Sequence, residues 1–167
     1  MNTGQMLITI GAMMLLSLVL LRVNNNFLST STVLFESKFG VLAVSLATSV
    51  IEEANSKAFD HNTDTNSVAD LTELTPSASL GPEGTEVYET FNDFDDFDGY
   101  HRNTASDTTI ISAEFDINCV VDYINPSNPD AATTNRTWHK KITVTVTSPS
   151  MQDTVRMSSI YSYWYFR

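Results

Sequence analysis

The sequence contains one cysteine, nine basic residues against twenty acidic ones, and no proline before Pro76. A single cysteine, Cys119, excludes an intrachain disulfide and a cysteine-rich metal site, and its place among alternating apolar residues predicts a buried thiol. The net charge of −11 disfavours binding to nucleic acid or to an anionic membrane surface, because both are bound through Lys and Arg. Since His61, His101 and His139 form no catalytic or metal-binding pattern, we expect no enzyme.

Charge is scarcest at the N-terminal end, where no charged residue precedes Arg22. The run Met6–Leu21 is sixteen residues long and uncharged. A secretory signal peptide would need a basic region before this run and a small-residue cleavage site after it, and neither is present. A membrane span takes roughly 20 apolar residues, so the run suffices once Gly4, Gln5 and Val23 are included. One interpretation is therefore a plain membrane anchor.

The helical pattern continues beyond this run. Between Phe27 and Phe59, apolar residues recur at steps of three, four and seven, which is typical of an amphipathic helix. They are Leu28, Phe35, Phe39, Leu42, Leu46, Val50, Ala54 and Ala58. The poor helix formers Asn24–Asn26 cost only about 2 kcal/mol in total. We therefore predict one helix over about residues 3–58, with an apolar segment, 1–26, and an amphipathic half, 27–59.

Acidic residues are concentrated in the middle of the chain, with fourteen of them against two bases in residues 51–107. Residues 60–107 are also rich in Asn, Thr, Ser and Gly, which predicts an acidic linking region with short local structure. Within it, Phe91, Phe94, Phe97 and Tyr100 repeat every three residues. This spacing predicts short 3₁₀ or α-helical turns whose aromatic face packs inward.

The aspartates between these aromatics allow two interpretations. Asp93, Asp95 and Asp98, followed by Gly99, are similar to a calcium loop, since Ca²⁺ takes several carboxylate oxygens on a tight turn. The EF-hand spacing is only partly met, because Thr104 stands where that motif has a Glu. The alternative is a solvated acidic face beneath the aromatic stripe. Apart from this Ca²⁺ hypothesis, we expect no cofactor.

Residues 108–167 are predicted to form an antiparallel β domain. Apolar and polar residues alternate in Ile111–Tyr123 and Trp138–Thr147, which lie on either side of a predicted loop at residues 125–130, and a third strand is predicted over Thr154–Phe166. The expected fold class is α+β, with an antiparallel sheet of three or four strands packed on the C-terminal half of the long helix. Asn135 begins an acceptor sequon for N-glycosylation.

An apolar N-terminal segment that runs into a helix of about fifty residues, followed by an antiparallel sheet, resembles the type IV pilins and the related pseudopilins. Residues Met1–Phe59 carry the resemblance, and Leu42–Asp60 is similar to the middle of minor pilins and pseudopilins, where small and apolar residues lead into a Glu-Glu pair. The resemblance implies a structural subunit that inserts into the inner membrane and meets the pilus assembly machinery. It then polymerises with its own copies into an extracellular filament at the cell surface. The alternative is a membrane-anchored pseudopilin or minor pilin of a type II secretion-like machine.

The resemblance places the assembly residues in the apolar segment. They are Gln5, Met6, Leu7, Ile10, Met14, Leu16, Leu18 and Leu21. Family members usually carry a Glu at the fifth position of the mature chain, where it is thought to neutralise the amine of a neighbouring subunit. If Met1 is the mature start, that position holds Gln5, which can accept a hydrogen bond but has no charge. Alternatively, the prepilin peptidase, which cuts after Gly, acts between Gly4 and Gln5.

Overall fold

The structure, a computed structural model, describes residues 2–105 and 113–164. Its first element is a single helix, α1 (Thr3–Asn55), which passes through Asn24–Asn26 without a break, as predicted. The chain divides into two units, Met1–Lys38 and Phe39–Arg167. Helix α1 therefore supplies the first unit and the beginning of the second.

Helix α1 ends at Asn55, slightly earlier than the predicted end near residue 58. The backbone of Ala58 instead pairs with the segment that carries the aromatic repeat. Its N–H donates to the carbonyl of Asn92 at 3.2 Å, and its carbonyl accepts from the N–H of Phe94 at 2.9 Å. These two bonds end the helix because they take backbone groups that would otherwise continue it.

The second unit contains a five-stranded antiparallel sheet. Its strands are β1 (His101–Asn103), β2 (Asp116–Asn125), β3 (Asn128–Thr133), β4 (His139–Thr147) and β5 (Val155–Ser162). The order is β1-β2-β4-β5, and β3 pairs with the C-terminal end of β2. Strands β1 and β3 thus lie at opposite ends of one edge of β2, while β4 pairs along its other edge.

The α+β fold is confirmed, but the predicted count of three or four strands is too low. Strand β1 lies in the predicted linking region, and β3 overlaps the predicted loop. All residues of β1 and nearly all of β3 are exposed, so neither strand has the alternation that signals a half-buried strand. The expected strand residues 111, 112, 165 and 166 lie outside the described residues, and residues 113–115 are not in a strand.

The main core lies between the C-terminal part of α1 and the sheet. From the helix it takes Ala43, Ala47, Val50, Ile51 and Ala54, and from the two central strands it takes Ile117, Cys119, Val121, Ile142, Val144 and Val146. The three fully buried alanines, Ala43, Ala47 and Ala54, leave little side chain between the helix backbone and the sheet. Cys119 is buried, as predicted, and its burial raises the pKa of the thiol to about 12.

The segment between α1 and β1 is more ordered than a plain linker. It contains five 3₁₀ helices, at His61–Thr63, Leu71–Glu73, Ser77–Ser79, Tyr88–Thr90 and Asp95–Phe97. Phe91, Phe94 and Phe97 are buried in the main core, which confirms the inward aromatic face. The last of these turns closes at Gly99, whose φ of +73° is a conformation that favours glycine.

One buried cation joins three parts of the second unit. Lys140 occupies an inward position of β4, and its Nζ donates to Asp60 Oδ2 at 2.8 Å, to Asp95 Oδ1 at 2.5 Å and to the carbonyl of Phe59 at 3.0 Å. Burial acts to raise the pKa of Asp60. The charge of Lys140 and hydrogen bonds from Lys140 and the Thr75 backbone outweigh that effect, so this pKa lies below its usual value.

Replacing Lys140 with Met should destabilise the protein by about 3–5 kcal/mol, because Asp60 and Asp95 would remain buried without their cation. The free energy of unfolding of the full chain in detergent, from denaturant titration, measures this loss.

The matched control is Lys141→Met at the next position of β4. The Nζ of half-buried Lys141 donates to the carbonyl of Pro129 at 2.9 Å in a bond at the surface, so its loss should cost only about 1 kcal/mol. Equal losses for the two variants would contradict the role given to Lys140.

Candidate functional site

The described part of the apolar segment of α1, residues 2–26, is exposed throughout. Gln5 is exposed, and so are all the apolar residues predicted for assembly, namely Met6, Leu7, Ile10, Met14, Leu16, Leu18 and Leu21. An 18-residue window of this helix has a mean hydropathy of 2.3 and is wholly unburied, so by length and composition the helix can cross a membrane. An apolar surface on every side of a helix calls for lipid or protein around it.

The two hydroxyl groups of the run Met6–Leu21 are satisfied by the helix itself. Thr9 Oγ1 donates to the carbonyl of Met6 at 2.9 Å, and Ser17 Oγ donates to the carbonyl of Met13 at 2.9 Å. Such bonds to a preceding turn leave no hydroxyl donor unpaired, so these residues do not require water around them. The segment is therefore compatible with an apolar environment along the whole run Met6–Leu21.

A second feature lies in the other unit, in the loops between α1 and β1. We call it the acidic cluster and define it as Glu83, Glu86, Asn92, Asp93 and Asp96. Asp93 and Asp96 are fully buried, while Glu83, Glu86 and Asn92 are half-buried. Asp93 and Asp96 are next to Phe94 and Phe97 in the sequence. Because these aromatic side chains pack in the core, the aspartates beside them are buried as well.

Backbone N–H groups hold one oxygen of each buried aspartate. Asp96 Oδ2 accepts from the N–H groups of Asn92 at 2.8 Å and Asp93 at 3.1 Å. Asp93 Oδ1 accepts from the N–H groups of Asp95 at 2.8 Å and Asp96 at 3.3 Å. This reciprocal arrangement fixes both side chains, so neither carboxylate is free to rotate towards solvent.

The remaining oxygens of the cluster have no hydrogen-bond partner among the described residues. They are Asp93 Oδ2, Asp96 Oδ1, Glu83 Oε2 and Asn92 Oδ1. Asp95 Oδ2, which belongs to a neighbouring residue, also has no hydrogen-bond partner among the described residues. Leaving a buried acceptor unpaired costs about 1–3 kcal/mol, and more if it is charged. This concentration of unpaired oxygens in one short segment therefore needs a physical explanation.

Three carboxyl groups of the acidic cluster also have raised pKa values, because negative charge is buried there without enough positive charge nearby. Burial, reinforced by Asp95 and Asp96, raises the pKa of Asp93 to about 9. Burial likewise raises the pKa of Asp96, with further contributions from Glu86 and Asp95 that backbone hydrogen bonds partly offset. Burial and the nearby aspartates raise the pKa of Glu83 to about 7, against the opposing effect of His61. Each carboxyl of this group thus disfavours the charge of the others.

The structure assigns different roles to the three aspartates of the calcium hypothesis. Asp93 belongs to the acidic cluster, Asp95 binds Lys140, and Asp98 Oδ1 accepts from the N–H of Val121 at 2.8 Å. The alternative, a solvated acidic face, is wrong, because Asp93, Asp95 and Asp96 are fully buried.

The sequence reasoning missed Glu83 and Glu86. Their only signal is a spacing of three residues within an acid-rich stretch, which is common in solvated loops. Asn135, the predicted glycosylation residue, lies exposed in the β3–β4 connection, so a glycan there would meet no buried surface.

Comparisons with known proteins add no family to this description. No protein-family model, curated protein or solved structure matches the chain.

In the presence of a chelator, we expect the protein to become more stable as the pH falls from 8 to 5.5. Asp93 and Asp96 bind protons more tightly in the folded chain than in the unfolded one. The free energy of unfolding therefore falls as the pH rises from the pKa of these carboxyls in the unfolded chain to their raised pKa in the folded chain. The slope should be on the order of 1 kcal/mol per pH unit. Asp60, whose pKa is lowered, would oppose this effect only below about pH 4.

Denaturant titrations at several pH values measure this slope. Asp96→Asn should reduce it, whereas Asp64→Asn, which changes an exposed aspartate, should leave it unchanged. A stability that rises with pH over this interval would contradict the effect assigned to the buried carboxyls.

Proposed function

We propose that this protein is a structural subunit of a pilus-like filament, held together by its apolar N-terminal helix. The observation that carries the proposal is the run Met6–Leu21, which is exposed on all sides and continues as one helix into the core of a folded unit. The long helix and the antiparallel sheet that packs on its C-terminal part are consistent with the resemblance to type IV pilins.

The exposed segment cannot remain in water. Burying a large apolar side chain is worth about 1.5–3 kcal/mol, so covering the run gives a large favourable term. In this proposal, lipid of the inner membrane covers the segment before assembly, and the same segments of other copies cover it afterwards. Because the segment is uncharged up to Arg22, the transfer from lipid to a filament core desolvates no charged side chain along it.

A plain membrane anchor would need only the span itself. Here the helix continues beyond Leu21 to Asn55, and its last part supplies Ala43, Ala47 and Val50 to the core. This continuity favours a subunit in which one element serves both the folded unit and the filament. A pseudopilin or minor pilin of a secretion machine would share these features, and it would be distinguished by short or absent surface filaments.

Replacing Leu16 with Asp should abolish filaments, because every subunit would then bring an unpaired carboxylate into the apolar core of the filament. Negative-stain images of cells that produce the variant measure filament number, and circular dichroism of the purified chain measures whether the β structure is retained.

The matched control is Ile160→Asp, another change of an exposed apolar residue to a carboxylate. Ile160 lies directly opposite Lys141 in the sheet, so the new charge gains a cationic neighbour and the second unit should stay folded. Filaments of normal length and number from Leu16→Asp would refute a buried apolar core.

Gln5 tests whether a polar contact is needed at the fifth position. If assembly requires no charge pair there, Gln5→Leu should form filaments nearly as well as the wild type, and Gln5→Glu should be tolerated only where a neighbouring amine lies close. Filament yield, measured on sheared material from equal numbers of cells, compares the variants. Loss of filaments in Gln5→Leu would mean that the amide of Gln5 makes a required contact.

A further inference from the structure

Two groups of three side chains, which overlap at Glu83, each bring ligand atoms close enough together to hold a cation. Glu83, Glu86 and Asp96 each offer a carboxylate oxygen, and these three atoms lie within 4.8 Å of one another. Glu83, Asp93 and the imidazole of His61 form a second such group, which shares Glu83 with the first. Two oxygens that both bind one Ca²⁺ at about 2.4 Å can be no more than about 4.8 Å apart.

The buried oxygens of the cluster give the second, independent indication. Asp93 Oδ2 and Asp96 Oδ1 belong to fully buried residues and have no hydrogen-bond partner among the described residues. The other oxygen of each side chain is held by backbone N–H groups, so the unpaired oxygens stay where they are. A cation is the kind of partner that such oxygens lack, since the Nδ1 of His61, at 4.0 Å from Asp93 Oδ2, is too distant for a hydrogen bond.

We propose that the acidic cluster is a binding site for a divalent cation, with Ca²⁺ as its ligand, held by Glu83, Glu86, Asp93 and Asp96. The amide oxygen of Asn92, which is also unpaired, is available as a further ligand. The oxygens of Glu86 already accept hydrogen bonds from Asn92 Nδ2 and from the N–H of Glu83. Because a carboxylate oxygen has two lone pairs, these bonds orient Glu86 without preventing it from binding the ion.

The donor set favours Ca²⁺ over other divalent ions. Carboxylate and amide oxygens are hard ligands, and Ca²⁺ accepts six to eight of them in irregular geometry. Mg²⁺ requires a near-ideal octahedron and retains several waters, which fits a set of bulky, partly buried carboxylates less well. Zn²⁺ prefers four ligands in a tetrahedron, with nitrogen or sulfur among them. The one imidazole near the site, that of His61, is half-exposed, and its Nδ1 lies 3.5 Å from Glu83 Oε2.

Bound Ca²⁺ would join two stretches of chain that otherwise repel each other. Glu83 and Glu86 precede the aromatic repeat, while Asp93 and Asp96 lie within it, next to the backbone pairing with Ala58 at the end of α1. The raised pKa values of Asp93 and Glu83 agree with carboxyls that lack a compensating charge. The cation would supply that charge and stabilise the second unit, whether or not the chain forms filaments.

The experiment titrates CaCl₂ into the chelator-treated full chain in detergent at pH 7.5. Calorimetry should show one saturable Ca²⁺ site per chain. A hundredfold excess of Ca²⁺ over its Kd should favour the folded state about a hundredfold, which corresponds to a rise in Tm of about 5 °C or more. MgCl₂ and ZnCl₂ at the same concentrations should give smaller rises.

Asp96→Asn is the informative variant. The Asn side chain can still accept the N–H groups of Asn92 and Asp93, so the fold should survive, and removal of a buried carboxyl should keep the chelated protein at least as stable as the wild type. The rise in Tm with Ca²⁺ should fall to less than a third of the wild-type rise. The matched control is Asp98→Asn, which changes an aspartate of the same loop that lies outside both groups and should keep the full rise.

Two results would overturn the site. One is a wild-type chain whose Tm and calorimetric signal do not change at millimolar CaCl₂, which would mean that the buried carboxyls are simply protonated. The other is a Ca²⁺ response that Asp96→Asn retains and Asp98→Asn loses, which would place the ion elsewhere in the loop. If Zn²⁺ gave the larger rise and His61→Ala removed it, the assignment of Ca²⁺ would be wrong.

Discussion

The buried ammonium group of Lys140 determines how the second unit is arranged. An isolated charge in a protein interior is very costly, so Lys140 can lie at an inward position of β4 only if anions accompany it. Asp60 and Asp95 supply them, at 2.8 and 2.5 Å, and the rings of Phe59 and Tyr123 lie near the same Nζ. The segment that follows the helix end, the loop with the aromatic repeat and the sheet are therefore fixed relative to one another around one cation.

This ion pair accounts for some of the buried negative charge but not for all of it. Asp60 and Asp95 share Lys140, whereas Asp93 and Asp96, which are equally buried, accept hydrogen bonds from backbone N–H groups, and the half-exposed His61 comes within 4.0 Å of Asp93 Oδ2. The chain must therefore either keep protons on these carboxyls or take up a cation. The two possibilities have opposite consequences at neutral pH, because protonation weakens as pH rises and metal binding strengthens.

The periodic parts of the fold could be predicted from sequence, and the acidic part could not. Helix α1 and strands β2, β4 and β5 repeat their apolar residues with the helix or strand period, and that pattern depends on neighbours in the chain. Lys140 occupies the same inward register as Ile142, Val144 and Val146, so the alternation of residues along β4 indicates that its side chain is buried.

The burial of Asp93, Asp95 and Asp96 had no such signal, since a run of acidic residues is ordinarily solvated. Its cause lies in contacts between distant parts of the chain, such as the bond from Lys140 to Asp95. The calcium hypothesis included Asp93 because it lies in the loop that ends at Gly99. It missed Glu83 and Glu86, which reach the cluster from a separate stretch. Strands β1 and β3 were missed because their side chains are exposed and show no alternation.

The two units differ in how their apolar surface is covered and how their polar groups find partners. The second unit has its own core and internal partners for its buried lysine. The apolar run of the first unit pairs even its hydroxyls within the helix, as Thr9 and Ser17 show, and leaves only apolar surface to be covered. An environment of lipid and an environment of identical helices meet this requirement equally well. A transfer between them therefore demands no change in the core of the second unit, and that is the property that a subunit moving from membrane to filament would need.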